Sequence, residues 1–290
     1  MFSQVLSVTA PVFGIVLIGF LYGRFSGINL DAANRINMSL FVPALLLYVL
    51  TEKIPDLSQM GDITIAAAIV VLGSGLLALP ITRTMRLPER AILPSMMFNN
   101  SGNLGLPLAT LAFGEQYLPL AVMAFVVSAG LNHSLGIWYV SQRLHPGEML
   151  RNPVFLATLT GISFNLFGLH TPAMILPGLE MLSQVAIPLL LVALGTRLSQ
   201  IDLAHWRLGL LIGLLCPAVG LMLAEVAILL LKLKPSEAQL ILLFGALPPA
   251  VMNFLMAERY HQFPAQVASI VAIGNLLSVI VLPCLLVFIL

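Results

Sequence analysis

Apolar residues dominate this chain in blocks of about twenty, the length that carries an α-helix across the roughly 30 Å hydrocarbon core of a bilayer. Ten such blocks are legible, at residues 5–23, 33–51, 62–82, 90–114, 117–141, 153–169, 178–197, 208–231, 236–257 and 264–289, joined by short polar connections. Two of them are interrupted. The fourth contains Asn99-Asn100-Ser101-Gly102-Asn103-Leu104-Gly105-Leu106-Pro107 and the ninth contains Gly245-Ala246-Leu247-Pro248-Pro249. A helix that breaks inside lipid must find partners for its freed N–H and C=O groups, which happens only where protein or a watery cavity surrounds the break. The pattern predicts an all-α polytopic membrane protein of ten transmembrane helices, the fourth and ninth broken and crossing.

Composition agrees. Only 9% of the 290 residues are charged while 59% are hydrophobic, and the mean hydropathy is +1.03, too little polar surface for a soluble domain of this size. The net charge of +1 supplies neither a nucleic-acid face nor an acidic tail. Cys216 and Cys284 stand singly in apolar stretches, a pattern of neither a disulfide framework nor a thiolate metal site. No phosphate-cradling loop with its Lys and Ser/Thr, no His-Glu-x-x-His and no Gly-x-Ser-x-Gly occurs, so no enzyme, ATP engine, metal or cofactor is expected. The first block follows Met1-Phe2-Ser3-Gln4 without a basic region or cleavage site, which reads as a retained span.

Charge position carries more than charge sum. Arg24, Arg35, Arg83, Arg86, Arg90, Arg143, Arg151, Arg197, Arg207 and Arg259 all fall in, or at the block ends that flank, the connections after odd-numbered blocks, against Lys53, Lys232 and Lys234 on the other side. Because basic residues collect in cytoplasmic loops, the expected orientation has both termini on the outer, periplasmic side of a bacterial inner membrane.

The two halves also resemble each other. Gly114-Glu115-Gln116-Tyr117 matches Ala257-Glu258-Arg259-Tyr260, Asn132 matches Asn275, and Gly105-Leu106-Pro107 falls opposite Pro248-Pro249-Ala250, all 143 apart; Pro43 and Pro188 match at 145. This predicts a first five-helix repeat over 1–141, a short cytoplasmic linker over 142–152 and a second repeat over 153–290. Five spans is an odd number, so the second repeat is inverted, a recurrent plan of secondary transporters with substrate held at discontinuous helices.

Broken helices that cross bring two N-terminal ends together, each carrying about half a positive charge. An anion, above all a carboxylate, suits that point. Pro107 and Pro248 fit the first turn of each half-helix, where a missing N–H costs nothing. The neutral side chains of Asn99, Asn100, Ser101 and Asn103, with Gly102, Gly105 and Pro249 in the breaks and Asn253 beyond the second, either orient such an anion or cap the severed helices. His133, beside Asn132 in the fifth span, and Glu225 in the eighth are ionisable groups at membrane depth, hence candidates for proton coupling. For Glu225, about 10 Å of helix rise from Lys232, anchoring at the outer interface competes with that role. Asn132 and Asn275 either brace crossing helices or line the pocket. Pro43 and Pro188 are expected to kink the second span of each half beside it.

With Asn100, Gly102-Asn103-Leu104-Gly105-Leu106-Pro107 and Phe113-Gly114 in the first half, and Pro248-Pro249, Ala257-Glu258-Arg259-Tyr260 and Asn275-Leu276-Leu277-Ser278-Val279-Ile280-Val281-Leu282-Pro283 in the second, the chain resembles the auxin efflux carrier family. Its bacterial members look like permeases for malonate, malate and related organic anions. The resemblance implies ten spans as inverted repeats, a scaffold of the first, second, sixth and seventh spans that is often a homodimer, and a transport domain of the other six moving like an elevator. The partners it implies are a small organic anion and the bilayer, with proton or sodium coupling open. An anion channel or membrane sensor of the same fold is the competing function.

Overall fold

Each apolar block is helical in the computed structural model of the protein, which describes residues 2–26, 30–143, 147, 150–200 and 203–290. In chain order the helices are α1 (Phe2–Phe25), α2 (Ala32–Lys53), α3 (Gly61–Thr84), α4 (Glu89–Met97), α5 (residues 101–113), α6 (Glu115–Ser141), α7 (Pro153–Leu166), α8 (Leu176–Leu198), α9 (Trp206–Leu231), α10 (Pro235–Ala246), α11 (Val251–Arg259) and α12 (Pro264–Ile289). No strand forms among the described residues beyond a single antiparallel bridge, Asn99 to Pro249. The protein is all-helical and polytopic. Among the described residues seven helical segments are long and apolar enough to cross a membrane, α7 is a shorter apolar helix, and α4/α5 and α10/α11 are the two interrupted pairs. The expected linker 142–152 lies partly outside the described residues.

Both breaks are narrower than the polar runs that announce them. The first spans only residues 98–100, because Ser101–Gly105 already winds as a wide, π-type turn that runs into Leu106–Phe113. The second spans residues 247–250, Gly245 and Ala246 belonging to the last turn of α10. Pro107 therefore sits well inside α5 rather than at its first turn, and Pro248 lies in the extended link rather than in α11. The helix N-caps are Asn100 and Ala250, which are 150 residues apart. The separation of the two N-caps thus differs from the 143-residue offset that aligns the halves in sequence, and in space Pro248-Pro249-Ala250 faces Phe98-Asn99-Asn100. A helix can be phased by its exposed or buried face, but a break is located by hydrogen bonds that composition does not show.

Helix packing separates into two groups. α1 packs along α8, and α2 packs on α7 and α8; α9 packs on α3, α10 and α12. Glycines set the closest approaches. A Cβ on Gly19 would strike the Val192 carbonyl, and one on Gly195 the Val16 carbonyl, so α1 and α8 touch backbone to backbone. Gly220 of α9 meets the carbonyl of Gly245 in the same way, bringing α9 against the end of α10 beside the break. Such small-residue contacts supply dispersion where lipid leaves no hydrophobic drive between helices.

Pro43 follows the π-type turn Asn37–Phe41 of α2, and Pro188 lies inside α8. Buried Asn37 ties those two helices, donating from Nδ2 to the Ala186 carbonyl at 3.3 Å. Neither proline lines the cavity described below, although Asn34 and Met38 of α2 do.

Candidate functional site

The breaks meet. Asn100 N–H donates to the Pro248 carbonyl at 2.7 Å and Ala250 N–H to the Phe98 carbonyl at 2.9 Å, so two extended links pass each other as a one-rung antiparallel pair with Asn99 opposite Pro249. That pairing satisfies the backbone groups that a break in an apolar interior would otherwise orphan.

Amide side chains complete the joint. Asn99 Nδ2 donates to the Phe244 carbonyl at 2.5 Å, capping the C-terminal end of α10, and Asn253 Nδ2 donates to the Phe98 carbonyl at 2.9 Å, capping the end of α4. Asn100 Nδ2 donates to Asn275 Oδ1 at 2.8 Å, and Asn275 Nδ2 in turn donates to the carbonyls of Pro249 (3.0 Å) and Val271 (2.8 Å). Three expected site residues, Asn99, Asn100 and Asn253, thus direct their amide donors at the protein itself. Asn275 is the brace that ties α12 to both links. The matched Asn132 does not share that role, lying instead on the cavity wall.

What remains unengaged lies at the two helix N-termini. The Asn100 carbonyl accepts from Leu104 and Gly105, both at 3.1 Å, and neither Asn100 nor Ala250 caps its helix with a side chain. The N–H groups of Ser101, Gly102 and Asn103, and of Val251 and Met252, therefore find no acceptor among the described residues. All five residues line one cavity of about 110 Å³, together with Asn99, Asn100, Phe125, Ser128, Asn132, His133, Asn34, Met38 and Val154. It has room for several water molecules and so for a small carboxylate. Two N-terminal helix ends, each partly positive, border one small polar space.

Asn99 and Asn132 line this cavity, and Asn253 lies beside it without lining it. Asn99 Oδ1, Asn132 Oδ1 and Asn253 Oδ1 are buried without a hydrogen-bond partner. For Asn99 and Asn253 the carbonyl bound by Nδ2 fixes which end of the amide is oxygen. His133 Nδ1 donates to the Ala129 carbonyl at 2.8 Å, since a carbonyl only accepts, which leaves Nε2 as the free ring nitrogen. Asn132 and His133 lie on another π-type turn, Asn132–Gly136, a distortion common at functional positions.

A wider cavity of about 440 Å³ adjoins the first, sharing Asn132, His133, Met252 and Leu255 and adding Arg151, Asn152, Arg259 and Tyr260. The small cavity thus continues into a vestibule with two guanidinium groups on its wall. Among the remaining expected residues, Gly105 borders a pinhole of about 10 Å³ with Ser101, and a Cβ there would press on a Leu247 methyl. Pro249 packs against Gly274. Glu225 is exposed on α9 and lines none of these cavities. Phe125, Ser128, Asn34 and Val154 were not anticipated. The signal for Ser128 was present: it stands four residues before Asn132 and so on the same helix face.

Residues 143–286 match the family model described as membrane transport protein. An uncharacterized transporter of Methanocaldococcus jannaschii is 27% identical, and the matched region covers 64% of this chain and 64% of that relative's length. The family match covers the half containing α7 to α12, hence the second break, Asn253 and Asn275. These similarities to membrane transport proteins agree with the resemblance to the auxin efflux carrier family read from the sequence.

Proposed function

We propose that this transporter is a secondary carrier of a small organic anion, a mono- or dicarboxylate such as malonate or malate, held at the crossing of the two broken helices. The observation that carries the reading is the convergence of five unengaged N–H groups from two helix ends on one small cavity. A carboxylate there accepts from Ser101, Gly102, Asn103, Val251 and Met252, with the Asn103 amide and the Ser101 and Ser128 hydroxyls as further donors. Asn99, Asn100, Asn253 and Asn275 hold the crossing in shape, and Pro248 and Pro249 keep the second link extended.

Alternating access is the mode of transport proposed with this site. In this reading α1, α2, α7 and α8 form the scaffold and the homodimer contact, and the other helices form a transport domain that slides in the manner of an elevator. The fold is then ten crossings in two inverted five-helix repeats over 1–141 and 153–290, with both termini on the periplasmic side. The vestibule at Arg151 and Arg259 opens on the face where arginines accumulate, the cytoplasmic one, so the conformation is inward-facing. Two guanidinium groups there raise the local concentration of anions.

An anion alone leaves the oxygens of Asn99 and Asn132, two residues of the cavity wall, unpaired. A proton-bearing group or a sodium ion pairs them, so transport coupled to one of these cations fits the site better than uniport. His133, with Nε2 available, is the proton acceptor in the first case.

Purified protein in proteoliposomes tests the proposal through uptake of radiolabelled mono- and dicarboxylates, with proton and sodium gradients imposed separately. Saturable uptake with counter-transport is expected, and His133→Gln shifts its pH profile if protons are coupled. Flux that rises linearly with concentration would indicate a channel, and binding without flux a sensor.

A further inference from the structure

The largest cavity described, about 680 Å³, lies between α1, α8 and α12 and belongs to neither the anion site nor the vestibule. Its walls are apolar: Phe13, Leu17 and Phe20 of α1 stand across from Leu276 and Val279 of α12. Leu17 is 55% exposed and Leu276 66%, so the groove opens sideways, toward lipid. The wall formed by α1 and α8 is rigid, because Gly19 and Gly195 hold the two backbones in contact.

Length and charge single out an occupant. From Phe13 to Arg24 helix α1 rises about 16 Å, close to half of the roughly 30 Å hydrocarbon core, which is one leaflet. Arg24 lies at the end of that rise, and among the described residues it is the charged side chain of the groove, with no acidic one beside it. A guanidinium at headgroup depth above an apolar slot one leaflet long matches a phosphate with an acyl chain beneath it. At its inner end the groove reaches Leu104 of α5 and Asn275, the brace of the crossing.

We propose that this groove binds one anionic phospholipid from the leaflet on the Arg24 side, the phosphate on Arg24 and one chain lying along α1 as far as Leu104. The site goes beyond the transport reading and does not depend on it. Its position gives the bilayer a direct contact with the helix that carries Asn275.

Tryptophan quenching tests this without measuring transport. Val279→Trp is introduced with Trp138→Phe and Trp206→Phe, and the protein is reconstituted in phosphatidylcholine vesicles containing a minor fraction of brominated phosphatidylglycerol or brominated phosphatidylcholine. The phosphatidylglycerol is expected to quench at about fivefold lower mole fraction, the preference that one basic residue near the surface confers, and Arg24→Gln to abolish the difference. Equal quenching by both lipids, or a preference that survives Arg24→Gln, would overturn the proposal.

Discussion

The Asn100–Asn275 pair offers the sharpest test of how the crossing is held. Truncating Asn275 to Ala removes both the acceptor of Asn100 Nδ2 (2.8 Å) and the donor to the Pro249 carbonyl (3.0 Å), leaving two buried polar groups without partners. At about 1–3 kcal/mol for each orphan, the cost is about 2–6 kcal/mol. Asn100→Ala orphans only Asn275 Oδ1, about 1–3 kcal/mol. The double variant orphans only the Pro249 carbonyl, so its cost falls well short of the sum of the singles. Interhelical hydrogen bonds within membranes reach about 1.7 kcal/mol at most, because the unfolded chain in lipid also finds partners. A coupling energy of about 1–2 kcal/mol is therefore expected, read from reversible unfolding in mixed detergent micelles by a double-mutant cycle. If the two changes add to within about 0.3 kcal/mol, the amides do not act as a pair and the brace is not what joins α12 to the links.

Three further outcomes follow from the geometry. Gly220→Ala drives a Cβ into the Gly245 carbonyl, backbone on both sides, and should cost about 3 kcal/mol in the same unfolding assay, whereas Gly14→Ala, with nothing within 4 Å, should be neutral or gain about 0.5–1 kcal/mol. Asn103→Leu should abolish saturable carboxylate uptake while leaving the unfolding midpoint near wild type, since Asn103 lines the cavity without bracing anything; Asn100→Leu should lose both. Arg151→Gln should slow uptake most at low ionic strength and least at high, because attraction across an open vestibule is screened over about 10 Å at 0.1 M salt; a salt-independent defect would assign Arg151 a different role.

Apolar block length placed the helices well: the expected limits 62–82, 178–197 and 264–289 correspond to Gly61–Thr84, Leu176–Leu198 and Pro264–Ile289. A long apolar segment in a bilayer has one economical backbone conformation, so composition suffices. The same logic located the two interruptions, but it put Pro107 and Pro248 in the wrong turns. Proline is compatible with a first helical turn; it does not compel one. Here the ladder restarts at Ser101 because the Asn100 carbonyl is free to accept from Leu104 and Gly105, a choice made by the opposing link, which takes the Asn100 N–H. That partner lies about 150 residues away in the chain, at Pro248, beyond the reach of any local pattern.

The role of each amide was illegible for a related reason. Asn99, Asn100 and Asn103 are equivalent as residue types, yet two of them bind protein acceptors and the third does not. What separates them is helical phase: Asn99 and Asn100 lie in the extended link, where successive side chains diverge toward α10 and α12, while Asn103 sits in the first turn beside its own unengaged N–H. A sequence supplies donors; only the crossing decides which of them are already taken. The same reasoning divides Asn132 from Asn275, which sequence similarity paired: α12 passes close enough for Asn275 to reach the Pro249 carbonyl at 3.0 Å, whereas Asn132, on its π-type turn, is left at the cavity wall with a buried oxygen still to be satisfied. An amide that holds the helices together cannot also be released to follow a substrate, so specificity for the anion must rest with the residues that the crossing leaves idle.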